Sequence, residues 1–173
     1  MLVTSGLTSP ERSVIHQTLV AVKNVIKMNV ISSANYKTIK TKDMEEQEGR
    51  MIWTHEYVQI YTNGYGNIVL LFEDEKEKPL AVGRKMNEIN EEAYMNGYNW
   101  DAFLNYYLAE NAPDILKSID SDPEAGTYAA YFEESEENEE KAKRFANIII
   151  SLIENEEEIY KILREKGDEI EWD

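Results

Sequence analysis

Carboxylates and phenols are the only side chains here present in numbers that could do chemistry. The chain of 173 residues holds 34 Asp and Glu, 11 Tyr against 4 Phe, two histidines and no cysteine. Without cysteine there is no thiol nucleophile, disulfide or thiolate metal site, and a reducing compartment is the natural setting. His16 and His55 are far apart in sequence and fall in different elements, so a triad or a His-based metal site would need partners that no spacing identifies. Both read as ordinary surface or half-buried histidines.

Three local patterns imitate sites. Asn63-Gly64-Tyr65-Gly66-Asn67 has the flexible backbone of a phosphate cradle but lacks the following helix and lysine of a P-loop. It reads as a hairpin turn, with Asn63-Gly64 as the positive-φ pair. Asp120-Ser121-Asp122-Pro123-Glu124 begins like a calcium loop, then loses the ligand pattern and the sixth-position glycine. A turn leading into a strand at Tyr128 is the better reading. Paired carboxylates are inevitable among 34 acids, and most lie in runs such as 133–140 and 154–158. General acid–base work needs two carboxyls in a cleft with separated pKa values. A run on a solvated face needs nothing of the kind, and its functional alternative is a docking surface for a basic partner. No catalytic residue, metal ligand or cofactor is assigned on these grounds.

The tyrosines are the more unusual feature. Tyr94, Tyr98, Trp100, Tyr106 and Tyr107 crowd one stretch. Trp100, Phe103, Leu104, Tyr107 and Leu108 recur at helical spacing, so Trp100 and Tyr107 belong to the core. Tyr94, Tyr98 and Tyr106 fall off that stripe. With Glu133, Glu134, Glu136 and Glu137 they are the candidate binding residues, tyrosines as anchors and carboxylates as rim.

The elements that must position these residues follow from periodicity. Ser9-Pro10-Glu11 opens a helix through Ile15, Leu19, Val22 and Ile26, followed by a polar connector over 32–50. Val58 and Ile60 alternate with Tyr57, Gln59 and Tyr61 as a strand buried on one face. Ile68 to Phe72 is a continuous apolar run that suits a central strand. Leu80-Ala81-Val82 reads as a short third strand, and Thr127 to Phe132 as a fourth. Asn99 caps the Trp100 helix, and Pro113 opens a shorter one carrying Ile115, Leu116 and Ile119. Ala142, Phe145, Ala146, Ile149, Leu152 and Ile153 form a clean stripe, with acids in its first turn where the helix dipole favours them. A last helix through Ile159, Tyr160 and Leu163 ends at Gly167. The fold class is α+β, a mainly antiparallel sheet with helices packed on one face. The division is 1–50, a basic helix and connector, and 51–173, an acidic α+β domain.

Net charge is −16 at pH 7, but residues 1–42 hold six basic side chains and one acid, so the remainder carries −21. Such a surface repels phosphate backbones and anionic lipid and attracts basic proteins. Nucleic acid and membranes are therefore not expected as partners. No stretch approaches the roughly 20 apolar residues of a bilayer span, and no secretory signal is legible. Cytoplasmic localisation is expected.

The segment Glu92-Ala93-Tyr94-Met95-Asn96-Gly97-Tyr98-Asn99-Trp100, continuing through Asp101-Ala102-Phe103-Leu104-Asn105-Tyr106-Tyr107-Leu108, resembles a signature of the immunity protein 51 family of bacterial polymorphic toxin systems. Asp122-Pro123-Glu124-Ala125-Gly126-Thr127-Tyr128, followed by Ala129-Ala130-Tyr131, resembles its second recurring block. The resemblance spans roughly 57–160 and leaves out the N-terminal 50 residues. It implies an α+β protein that binds and neutralises a cognate toxin, and it carries no catalytic residues. A basic nuclease would suit an inhibitor of this charge as a phosphate mimic. The alternatives are a small carboxylate-based hydrolase or metal-dependent enzyme, or a general protein-binding adaptor. Deleting residues 1–42 is expected to leave cooperative thermal unfolding of the remainder intact; a broad, non-cooperative melt of the truncated chain would place the N-terminal helix in the core.

Overall fold

The computed structural model describes residues 49–173. The expected N-terminal helix, nearly all of the connector and His16 lie outside the described residues. Residues 49–173 form a five-stranded antiparallel sheet with helices packed against it.

Strands β1 (Met51–Thr54), β2 (Val58–Thr62), β3 (Asn67–Phe72), β4 (Asp120–Glu124) and β5 (Thr127–Glu133) take the order β1-β2-β3-β5-β4. The central strand is β3, as its apolar run predicts. Val58, Ile60, Ile68, Leu70, Phe72, Tyr128, Ala130 and Phe132 all point into the core, each no more than 1 % exposed. Register pairs them in rows, Val58 with Phe72 and Phe72 with Tyr128, Ile60 with Leu70 and Leu70 with Ala130. The β2–β3 hairpin forms as expected, but its turn does not. Positive φ falls on Gly64 (75°) and Gly66 (85°), not on Asn63. Asn63 instead accepts hydrogen bonds on Oδ1 from the backbone N–H of Tyr65 at 2.9 Å and Asn67 at 3.2 Å, closing a longer loop.

Two sequence expectations are corrected. Leu80-Ala81-Val82 is not a strand; it lies in helix α1 (Glu77–Ile89). A three-residue apolar run carries no period, whereas the buried set Pro79, Val82, Gly83 and Met86 has helical spacing. Pro79 is tolerated because its missing N–H lies in the first turn, where it would have no intrahelical acceptor. Nor is Asp120 to Glu124 a turn. It is edge strand β4, paired with β5 from Asp120↔Tyr131 to Glu124↔Thr127. Its sequence has no strand-like hydrophobicity; an edge position needs pairing on one side only and accepts proline and outward charge.

Helices α2 (Gly97–Asn111), α3 (Pro113–Leu116), α4 (Glu136–Glu154) and α5 (Glu156–Lys166) complete the layer, followed by a 3-10 turn at Gly167–Glu169. All six residues of the α4 stripe are buried, and Ser135 caps that helix by accepting from Asn138 N–H at 3.1 Å. Pro113 opens α3 as predicted, and α5 stops at Gly167. Trp100 is the largest fully buried side chain; its ring meets Phe72 edge-on at 5.1 Å and Phe103 at 6.1 Å.

Three polar residues are buried among those described: Thr62, Asp74 and Asn99. Thr62 accepts from Arg50 N–H at 2.9 Å. Asp74, 4 % exposed, has one carboxylate oxygen with no donor among the described residues. Burial, reinforced by Glu75, pushes its pKa from 3.8 up to about 7. The folded state thus binds the proton more tightly than the unfolded state, so this contribution is complete below about pH 4 and is lost as pH rises through 7. Asp74→Asn should raise stability at pH 8 by on the order of 1 to 4 kcal/mol and flatten the decline between pH 4 and 7. Melting temperatures of the two chains that change in parallel across that range would show Asp74 to be ionised in the fold without penalty.

Candidate functional site

The start of α2 organises the site. Asn96, not Asn99, is the N-cap, its Oδ1 accepting from Asn99 N–H at 3.0 Å. Gly97 then lies against the β4–β5 turn so closely that a Cβ would sit 2.1 Å from the carbonyl oxygens of both Glu124 and Thr127. Only glycine permits this approach.

With α2 seated there, its residues divide into two stripes. Trp100, Phe103, Leu104 and Leu108 enter the core. Tyr98, Asp101, Ala102, Asn105 and Tyr106, at the same 0, 3, 4, 7, 8 spacing two residues out of phase, line a cleft of about 700 Å³. Its other walls are Pro123 on β4 and the C-terminal segment with Glu169, Glu171, Trp172 and Asp173.

Asn99, 3 % exposed, fixes that wall. Its Nδ2 donates to the carbonyls of Tyr94 at 2.7 Å and Glu92 at 3.4 Å, and its Oδ1 accepts from Asp173 N–H at 2.9 Å. One buried amide thus joins the loop before α2 to the end of the chain. The Trp172 indole donates to the Gly167 carbonyl at 3.1 Å, so the ring is held as well.

The cleft is acidic with aromatic walls. Of its carboxylates, Glu169 accepts from the Tyr106 hydroxyl at 3.3 Å and pairs with Lys166 at 2.8 Å. The Lys166 hydrogen bond holds the Glu169 carboxyl below the usual range. Asp101, Glu171 and Asp173 have no cationic partner among the described residues. Burial pushes the Asp101 pKa up, with hydrogen bonds from the Ser121 and Asn105 side chains drawing it back. Its Oδ1 and the hydroxyl of fully buried Tyr128 are both cut off from solvent, close enough for the Asp101 charge to act on the phenol. The Tyr128 pKa rises far above its ordinary value through burial and then through the Asp101 charge.

The predicted site residues are therefore split. Tyr98 and Tyr106 line the cleft, whereas Tyr94, 70 % exposed, projects from the loop beside it and contributes its backbone carbonyl. Glu133, Glu134, Glu136 and Glu137 are exposed at the opposite end of β5, about 20 Å of strand from Thr127. Tyrosines and acidic run are not brought together. Glu137 pairs with Lys141 at 2.7 Å, and the adjoining Glu139 with Arg50 and Lys143. Sequence reasoning misses Asp101, Asn105, Glu169, Glu171 and Trp172. The repeated 0, 3, 4, 7, 8 stripe on α2 is the signal that could have found the first two; nothing local marks the C-terminal residues as their partners.

His55 is packed between rings, stacked on Trp53 at 6.1 Å and edge-on to Tyr57 at 4.6 Å. Among the described residues no three His, Asp or Glu side chains converge as a metal site would require. No helix there is long and apolar enough to cross a membrane.

The described residues thus form an antiparallel sheet layered with helices, with an acidic cleft that has aromatic residues in its lining. The family comparison is more specific: residues 58–168 match the model of immunity protein 51, and the chain belongs to that family. The matched region takes in all of α2 and the β4–β5 hairpin. No curated protein and no solved structure matches the chain.

Replacing Asn99 by Ala leaves the Glu92 and Tyr94 carbonyls and the Asp173 N–H without their partner. A loss of about 1–3 kcal/mol in stability is expected, with faster hydrogen exchange at the Trp172 indole. An indole equally protected in the variant would mean that the C-terminal wall is held without Asn99.

Proposed function

We propose that the chain neutralises a cognate bacterial toxin of a polymorphic toxin system by binding it in the cytoplasm, with the cleft between α2 and the C-terminal segment at the centre of the contact. The observation that carries this reading is the meeting of two aromatic anchors, Tyr98 and Trp172, with four carboxylates and a single, already paired lysine. Aromatic side chains in a concave, partly desolvated setting are where interface energy concentrates. Carboxylates without partners steer a basic surface towards them. Family membership supplies the kind of partner, a toxin.

The finer reading is that the toxin is a basic nuclease, its phosphate-binding surface covered by this acidic face. The charge of −21 on residues 43–173 favours that class and disfavours nucleic acid or anionic membrane as direct partners. The exposed Glu133, Glu134, Glu136 and Glu137 lie too far along β5 to share the cleft, and they act as a long-range steering field. Inhibition requires no catalysis by the chain itself.

One observation favours a second reading, a carboxylate-based hydrolase: Asp101, pushed towards its protonated form by burial, shares the cleft with other acids. A hydrolase would inactivate its target at substoichiometric amounts, whereas an inhibitor must match it one to one.

That difference sets the test. Toxin domains from polymorphic toxin systems of the source cell are titrated with purified protein, and toxic activity is followed at low and high salt. Inhibition saturating at equimolar protein, with affinity falling at least tenfold as salt rises from about 50 to 500 mM, is expected. Absence of protection at any ratio, or turnover by trace protein, would overturn the proposal.

A further inference from the structure

We propose that Asn63 is a site of self-modification: the Gly64 backbone nitrogen attacks the Asn63 side-chain amide and converts it, through a cyclic imide, into aspartate and isoaspartate. The inference is independent of the toxin-binding reading and concerns the loop between β2 and β3.

Asparagine followed by glycine occurs twice in the chain, as Asn63-Gly64 and Asn96-Gly97. The glycine matters because no Cβ shields the attacking nitrogen. In the reaction the Gly64 nitrogen bonds to Asn63 Cγ and gives up its proton to solvent. The Cγ–Nδ2 bond breaks, and Nδ2 leaves as ammonia. Water then opens the five-membered imide at either carbonyl. Opening at Cγ yields a normal aspartate; opening at the main-chain carbonyl yields isoaspartate, in which the chain runs through the former side chain. Net, a water enters and an ammonia leaves, with no change in oxidation state.

The loop prepares this attack. Asn63 Oδ1 accepts from the N–H of Tyr65 at 2.9 Å and of Asn67 at 3.2 Å, which folds the side chain back over the peptide bond that follows it. Negative charge develops on that same oxygen as Gly64 attacks, so two donors already stand where an oxyanion needs them. The ends of the loop are fixed by other groups: Asn63 N–H donates to the Asn67 carbonyl at 3.0 Å, and Glu134 N–H to the Gly66 carbonyl at 2.9 Å. The Gly64 N–H engages no acceptor among the described residues. The tip is open, since a Cβ on Gly66 would meet nothing within 4 Å and Tyr65 is 75 % exposed.

Asn96-Gly97 has the same chemistry and the opposite setting. Asn96 Oδ1 has a single donor among the described residues, Asn99 N–H at 3.0 Å. Gly97 is wedged against the Glu124 and Thr127 carbonyls, where a Cβ would sit 2.1 Å from each oxygen. Ring closure must shift that peptide, and the β4–β5 turn leaves it no room. Conversion at Asn63 meets no such obstacle. It places a new carboxylate at the end of the sheet that carries Glu133 and Glu134, where Asn67 pairs with Glu133. Aspartate keeps the acceptor role of the amide, whereas isoaspartate adds a methylene to the main chain just before central strand β3.

The experiment ages the full chain in mildly alkaline buffer, once folded and once in strong denaturant. Both dipeptides are followed by peptide mass spectrometry, with chromatographic separation of the aspartate and isoaspartate products. Denaturant gives each dipeptide its rate without the fold. In the folded chain Asn63 is expected to convert at least as fast as in denaturant, with isoaspartate among its products. Asn96 is expected to convert at least tenfold more slowly when folded. A folded rate at Asn63 below its rate in denaturant, or a folded Asn96 no slower than in denaturant, would overturn the assignment. So would aspartate without isoaspartate at position 63, because direct hydrolysis by water gives only the former. Asn63→Gln keeps an amide but lengthens the ring that attack must close, and conversion at that position should then disappear while Asn96 behaves as before. Undiminished conversion in this variant would show attack from solvent and not from Gly64.

Discussion

The contact on which the rest depends is backbone on backbone: Gly97 beneath the β4–β5 turn, with no room for a methyl group between them. The two carbonyl oxygens that a Cβ would meet belong to the main chain and cannot rotate away. Because α2 starts there, its rotation about its own axis is set, and the two stripes of the helix acquire opposite duties. Trp100 goes down against Phe72 and Phe103, where an edge-to-face cluster fills the space under β3. Tyr98, only two residues earlier, must then look outward along β4. A small rotation of α2 would bury Asp101 fully or expose Trp100, and either costs several kcal/mol.

Asn99 is the polar counterpart of that constraint. A buried amide is tolerable only when its donors and acceptor are all engaged, and here they reach residues on both sides in sequence, Glu92 and Tyr94 before it and Asp173 far after. The C-terminal segment has little apolar surface of its own beyond Ile170 and Trp172. It is therefore held largely by directional bonds, which specify position more sharply than burial does. The cleft inherits that precision: one wall is a helix, the other a segment pinned at Gly167 and Asn99.

Legibility in the sequence depends on the range of the interactions involved. Strands β2 and β5 and helices α4 and α5 are readable because burial on one side imprints a period of two or 3.6 on a single segment, and β3 because its apolar run is unbroken. Leu80 to Val82 misleads since three apolar residues fit either period, and only Met86, a turn later, resolves it. Strand β4 exists through pairing with β5, so its own residues, mostly acids and a proline, carry no trace of it. Asn96 and Asn99 are both good caps by type; the tertiary bond to Asp173 decides between them. The same holds for the cleft. Half of its lining repeats along α2 and shows in the sequence only as tyrosines off the core stripe. Of the other half, Pro123 lies on β4 and the remaining four residues lie more than 60 residues later, beyond the end of the last helix. Family resemblance reaches the right class because its blocks coincide with α2 and the β4–β5 hairpin, the two pieces that Gly97 brings together.

Uniform acidity would make every surface of this domain equally attractive to a basic partner, so charge alone selects no face. What differs from place to place is how much of the charge is already used. In the first turn of α4, Glu136, Glu137 and Glu139 sit on the positive end of the helix dipole, and Lys141, Lys143 and Arg50 neutralise two of them at close range. Those carboxylates stabilise the helix, and a partner would have to displace existing ion pairs to exploit them. Around the cleft the ratio is reversed, with four carboxylates to one lysine, and one of the four, Asp101, is partly drawn out of water. Charge left unspent there, and not total charge, distinguishes this face from the rest of the domain.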